Sequence, residues 1–189
     1  HLNNPQSSSL FLHTMSEQER FMAIIDSNLD VQWHVSSSHM GLDFKVNQNH
    51  LSYYNKLEGS WILANQVMKE IDTLRCEGTV VADYHDIQIL ENGNYILQAY
   101  DSIFVDMSTI VDGGQPVTWI KGILVIQMFD INDELISEWN AWDHLDISQY
   151  TNLNLESNAI AWMHGNSIEW EGNNQILVSN RASNEILKI

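Results

Sequence analysis

Tyr84-His85-Asp86-Ile87-Gln88-Ile89-Leu90-Glu91-Asn92-Gly93-Asn94-Tyr95-Ile96-Leu97-Gln98-Ala99-Tyr100 is the stretch that decides the fold. Two short apolar runs flank Glu-Asn-Gly-Asn, and an Asn-Gly pair is a strong signal for a tight hairpin because such turns need positive φ. Two further copies of this hairpin follow the same plan. One runs 42–46, turn 47–50, 51–54; the other runs 164–170, turn 171–174, 175–180. In the two later copies the first strand begins on a histidine, His85 or His164, where the earliest copy has Leu42.

A second hairpin type lies between these copies: apolar strand, polar turn, apolar strand, often closing on tryptophan. It spans 21–35, 61–74 and 123–139. The two types alternate along the chain, and 185–189 opens another of the second type. One hairpin of each type makes four antiparallel strands, the size of a propeller blade. The expected fold is therefore all-β: a β-propeller of four-stranded antiparallel blades, with an outer half-blade at 20–35, blades at 40–74 and 84–140, and the start of a blade at 164–189. A sandwich or a barrel is the alternative, because strand pattern alone does not exclude either. About three blades' worth of strands cannot close a propeller of four to eight blades. Open blade edges would then be available for self-association. Two longer connections, 102–121 and 141–161, break the rhythm, and long rim loops are where binding usually occurs.

Composition narrows the function. The 189 residues carry 25 acidic and 8 basic side chains, a formal net charge of −17. A chain so acidic has no basic patch to neutralise phosphates, which argues against nucleic acid. No apolar run approaches the roughly 18–20 residues of a membrane span. The single cysteine, Cys76, excludes a disulfide framework and reads as a half-buried strand residue. The chain opens at His1 without an initiator Met or signal peptide and stops where a strand is starting, so a piece of a longer protein is expected.

Cations are informative in such a background. Arg181 ends the hairpin that His164 begins, and antiparallel pairing returns the two ends side by side. A guanidinium offers a planar fork suited to sulfate, phosphate or carboxylate; a salt bridge is its ordinary structural role. His85 and His164 are candidate proton or hydrogen-bond donors to an anion. Asn166, two residues from His164, could orient a ligand or cap a turn. His144, in Trp142-Asp143-His144-Leu145-Asp146, could bind substrate, although pinning by its two aspartates is the plainer reading. His13, His34, His39 and His50 read as scaffold or surface. No nucleophile elbow, phosphate-cradling Gly-rich loop or His-Glu-x-x-His motif occurs, and the carboxylates are scattered over turns. No metal or cofactor is expected; a metal-assisted hydrolase would need the histidines and nearby carboxylates to share an ion.

The stretch Tyr84–Tyr95 resembles the His-Asp/Glu-x-Gln-x-Leu-Pro-Asn-Gly-Asn segment of the arylsulfotransferase family of secreted β-propellers. Glu138-Trp139 through Asp143-His144 is similar to its Glu-Trp…Asp-His loop. Trp162-Met163-His164-Gly165-Asn166-Ser167 and Ser179-Asn180-Arg181 resemble its Asp-Trp-x-His-x-Asn-Ser and Ser-x-Arg motifs. Ala161 stands where the family commonly has Asp, and Gly165 replaces a larger residue. The resemblance implies a six-bladed, secreted or periplasmic propeller that moves a sulfuryl group from an aryl sulfate to a phenol, without a nucleotide donor, through a sulfated histidine. It implies that His85, His164 and Arg181 grip the sulfuryl oxygens and that Asn166 positions the group. The family's nucleophilic histidine lies in a later blade, beyond Ile189. The competing expectation is a non-catalytic secreted propeller that binds glycans or protein partners.

Overall fold

The computed structural model describes residues 8–14, 19–37 and 40–189. Residues 1–7 and His39 lie outside them. The protein is all-β and built from antiparallel meanders of the kind that form propeller blades. None of the sheets among the described residues closes into a barrel. No helix among the described residues is long and apolar enough to cross a membrane. The chain divides into two compact units, residues 1–74 and 75–189.

The first unit holds two sheets. Strands β1 (Leu10–His13), β2 (Phe21–Ile25) and β3 (Val31–Ser36) form one, in that order. Strands β4 (Met40–Asn47), β5 (His50–Asn55), β6 (Ser60–Ala64) and β7 (Glu70–Leu74) form the other. β1 is not foreshadowed by the sequence, being a four-residue strand beside a polar lead-in. The core of this unit gathers on Phe44, whose ring meets Phe11 edge-on at 5.2 Å and Tyr53 at 6.3 Å. Gly41 admits this packing, because a Cβ there would clash with the Met22 side chain and its φ is +103°.

The second unit is organised by a long hairpin. β8 (Val81–Ile89), β9 (Tyr95–Val105), β10 (Thr118–Phe129) and β11 (Leu135–Asn140) form one antiparallel sheet. The Asn92-Gly93 turn forms as its residues require: Gly93 has φ +88° and its N–H donates to Leu90 O at 3.0 Å. Both ends of the connection expected over 102–121 are strand. β9 and β10 stay paired from Asp101↔Ile123 out to Val105↔Thr118, across a bulge at Gly122. Only 106–117 lies outside the two strands.

The second expected connection, 141–161, is also more ordered than a loop. It holds α1 (Ala141–His144), a 3-10 turn over Ile147–Gln149, and β12 (Ala159–Ala161), which runs parallel to β10. β12 takes the edge of β10 that β11 leaves open. The pairing continues as Trp162 N–H donates to Lys121 O at 2.9 Å and Met163 N–H to Gly122 O at 3.1 Å. A Cβ at Gly122 would lie 2.8 Å from Met163 O, and its φ is +69°, so only glycine allows this approach. The backbone is thereby led to His164 and into β13 (Gly165–Gly172), which pairs with β14 (Gln175–Asn180) and then β15 (Glu185–Lys188).

Cys76 lies in the segment between β7 and β8 rather than in a strand. Burial, with Glu138 nearby, pushes its thiol up to about 12, which leaves it protonated and unreactive at neutral pH.

Candidate functional site

His85 does not head its strand. β8 begins four residues earlier, and its pairing with β9 jumps from Ala82↔Ala99 to Ile87↔Leu97. Residues 83–86 thus bulge out of the ladder, and a bulge re-aims side chains that strict alternation would send elsewhere. The imidazole of His85 is held from two sides. Its Nδ1 lies 2.6 Å from Asp83 Oδ1, and Tyr84 stacks on it at a centroid distance of 4.3 Å.

His164 does stand at a strand head, immediately before β13. Its N–H donates to the buried Asn180 Oδ1 at 2.7 Å, and its carbonyl accepts from Arg181 N–H at 2.9 Å. The first and last residues of the hairpin are therefore neighbours through the main chain. The two histidine rings meet edge to face, with centroids 4.7 Å apart and planes at 72°. Tyr100 closes the group, 6.5 Å from the His164 ring, donating its hydroxyl to Gly165 O at 3.0 Å. Burial first, and the Asp83 carboxylate second, push the Tyr100 phenol well above its ordinary range, so it stays neutral.

The rings meet because β8 and β13 lie side by side. Two side chains from β8 stitch them: Asp86 Oδ2 accepts from Ile168 N–H at 2.7 Å, and Gln88 Oε1 accepts from Trp170 N–H. These N–H groups belong to the unpaired edge of β13, where an unsatisfied donor would be costly. Asp86 and Gln88 are thus structural staples between sheets. Sequence reasoning missed this role; two-residue spacing in a strand places both on one side but does not show what they meet there.

Arg181 follows β14 and is exposed. Among the described residues no carboxylate lies within ion-pair distance of its guanidinium, so the salt-bridge role is not filled there. With Asn166, Ser179, Asn180 and Asn184 it lines a depression of about 320 Å³. Asn166 sits in a bulge between Gly165↔Asn180 and Ser167↔Ser179, so simple alternation with His164 does not hold across it. The depression nonetheless brings Asn166 and Arg181 to one surface.

His144 is elsewhere. It ends α1, its ring lies flat against Trp139 at 5.6 Å, and it lines a separate cavity of about 360 Å³ with Asp146, Tyr150 and Glu185. Asp146 does not clamp the histidine. It caps the 3-10 turn by accepting from Ser148 N–H and Oγ–H, which hold its carboxyl below the usual range. Among the described residues, no three His, Cys, Asp or Glu side chains gather as a metal ion would need.

The sequence matches the arylsulfotransferase (ASST) family model over residues 3–189. The chain belongs to the arylsulfotransferase family. No curated protein matches it. Among solved structures it is similar to a protein of unknown function from Bacteroides caccae, at 10% identity and a TM-score of 0.47. The match takes in 97% of this chain and 58% of that structure's chain.

One family departure has a physical reason in this member. Gly165 is buried, and a Cβ there would clash with Gln98 Oε1 and fall 2.9 Å from Leu124 Cδ1. Gln98 is fully buried and its amide donates to Asp83 Oδ1 at 3.3 Å. The space a larger residue would fill is taken by Gln98. Gly165→Ala is expected to destabilise the protein by about 1–3 kcal/mol, as overpacking does; urea unfolding checks this. A neutral result would mean Gln98 can leave Asp83 freely.

Proposed function

We propose that this arylsulfotransferase-family chain supplies the anion-gripping part of a sulfuryl-transfer site, acting on an aryl sulfate donor and a phenol acceptor. Arg181 and His164 hold the sulfuryl oxygens, His85 serves the phenolic oxygen or the sulfuryl group, and Asn166 orients the donor. The observation that carries the reading is that the Arg181 guanidinium has no ion-pair partner among the described residues, while its main-chain N–H donates to the main-chain carbonyl of His164, whose ring touches that of His85, in a chain of net charge −17. A cation that no described carboxylate pairs with, in so acidic a protein, is placed to bind an anion. Preorganised donors aimed at developing charge usually contribute more to acyl and phosphoryl transfer than any other single effect. The nucleophilic histidine is supplied by a part of the protein beyond these residues, and the site works in a secreted or periplasmic setting.

The test is a sulfuryl-transfer assay on the full-length protein with a chromogenic aryl sulfate and a phenol. Phenol-dependent release of the chromophore is expected. Absence of transfer from well-folded protein across several donors would sink the proposal.

A second reading, a rim that binds glycans or protein partners, has one observation of its own. Phe104 and Trp119 stack at 6.1 Å on the extended part of the β9–β10 hairpin and are 72% and 40% exposed. Exposed stacked aromatics are a common binding platform. They lie on the hairpin's overhang and not among the histidines, so this reading adds to the first without replacing it.

A further inference from the structure

We infer that Asp83 is a positioning residue that fixes His85 with its proton on Nδ1, leaving Nε2 as the ring nitrogen available to a substrate. Its purpose rests on the sulfuryl-transfer reading above; its structural content stands on geometry alone.

Asp83 is only 8% exposed, unusual for a carboxylate unless its oxygens are occupied. Its Oδ1 accepts from the main-chain N–H of His85 at 3.0 Å, from Gln98 Nε2 at 3.3 Å, and faces His85 Nδ1 at 2.6 Å. The first of these contacts is an Asx-type bond to a residue two positions on, which the β8 bulge makes available. It anchors the carboxylate to the backbone that carries the imidazole. The second holds the carboxylate from behind through a side chain that is itself fully buried. A carboxylate is an acceptor, so Nδ1 must be the donor in the third contact. Stacking by Tyr84 and the edge of His164 restrict the remaining freedom of the ring. Carboxylates that hold a catalytic imidazole in one tautomer act in this way in the Ser-His-Asp triads.

The tautomer decides what His85 can do. With the proton on Nδ1, the neutral ring presents a lone pair at Nε2. Sulfuryl oxygens are acceptors, so the neutral ring cannot donate to them from that atom. A phenol hydroxyl can instead donate its proton to it. His85 is thereby assigned to the phenolic oxygen, and the grip on the sulfuryl oxygens falls to Arg181 and His164.

The experiment is long-range ¹H–¹⁵N correlation of the histidine side chains in the full-length protein, wild type beside Asp83→Ala and Asp83→Asn. His85 is expected as the Nδ1–H tautomer in the wild type. It should convert to the Nε2–H form, or to an averaged signal, in Asp83→Ala, and keep the Nδ1–H form in Asp83→Asn, whose amide oxygen still accepts. A wild-type His85 protonated on Nε2, or an Asp83→Ala spectrum unchanged from wild type, overturns the inference. If Asp83→Ala does not fold, the wild-type and Asp83→Asn spectra decide. In the transfer assay, Asp83→Ala should lower kcat by about 10²-fold or more, in the range of general acid–base contributions, with KM for the aryl sulfate nearly unchanged. The spectra read the tautomer whether or not transfer occurs, so failure of the proposed reaction and failure of this inference are distinguishable.

Discussion

Arg181→Ala is expected to lower kcat/KM for an aryl sulfate by about 10²–10³-fold in the full-length protein, the usual consequence of removing one preorganised donor from a developing anion. The size follows from the setting. Arg181 follows directly on β14, a strand paired on both sides, and its main-chain N–H is bonded to His164 O. The backbone that carries the guanidinium is therefore fixed before the ligand arrives. Among the described residues no carboxylate lies within ion-pair distance of the guanidinium, although Glu185 lines the same depression. The side chain is exposed, so its removal should leave stability within the roughly ±0.5 kcal/mol typical of surface changes. That separation is what makes the variant decisive: activity falls while the unfolding midpoint stays. Arg181→Lys keeps the charge but not the planar fork and should recover only part of the loss. An Arg181→Ala protein within about threefold of wild type would show that the guanidinium does not touch the transferred group.

The contrast with His144 shows why a residue's chemistry needs its surroundings. Both side chains can carry positive charge, and both sit next to loops. His144 lies flat on Trp139 and faces a cavity lined by Asp146, Tyr150 and Glu185. Two carboxylates in that wall repel an anion at close range. Arg181 shares its depression with Glu185 as well, but also with the carboxamides of Asn166, Asn180 and Asn184 and the hydroxyl of Ser179, which can donate to an anion's oxygens.

Strands and tight turns were legible in the sequence, because each is set by residues close together. The Asn92-Gly93 turn and the apolar alternation around it are examples. The main-chain meeting of His164 and Arg181 was also legible, as a consequence of antiparallel pairing across one hairpin. What lay hidden depends on contacts between sheets. Nothing in the run 84–90 shows that Asp86 and Gln88 reach the edge of β13. The β8 bulge was equally hidden: the sequence reading starts the strand at His85, and only the partner strand, with Gln98 alone opposite the four residues 83–86, reveals the bulge. The overhang of β9 and β10 was misread for a different reason. Asp101, Ser102 and Gly122 look like turn residues, but Gly122 marks a bulge inside continuing strands. β12, with three residues in a parallel pair, is too short for any periodicity.

Trp162→Ala should cost about 3–5 kcal/mol of stability, the largest loss expected of any single substitution in the 75–189 unit. The indole is completely buried. Trp142 meets it edge-on at 5.9 Å and Tyr150 at 5.5 Å, from α1 and from the segment after the 3-10 turn. The same cluster includes Met107, Ile120, Ile147 and Ile160, so the cavity left by alanine would have walls from several separate segments. Those walls cannot close in easily. β12 is pinned to β10 by its ladder from Trp119↔Ala159 to Lys121↔Ala161, and Met163 N–H is tied to Gly122 O. A cavity that cannot collapse carries the full loss of packing. Trp162→Phe separates packing from polarity. The indole Nε1 has no acceptor among the described residues, and phenylalanine removes that buried donor while keeping most of the ring. The Phe variant should therefore lose no more than about 1.5 kcal/mol, as well-matched core exchanges do. Urea unfolding of the wild type and both variants measures the differences. Equal losses for Ala and Phe would mean that the indole itself, and not the volume it fills, holds the segment. The consequence reaches the site through two residues of backbone. Met163 and His164 follow directly, and a slackened Trp162 lets the imidazole drift from His85, so the Ala variant should also lose transfer activity at temperatures where it is still folded.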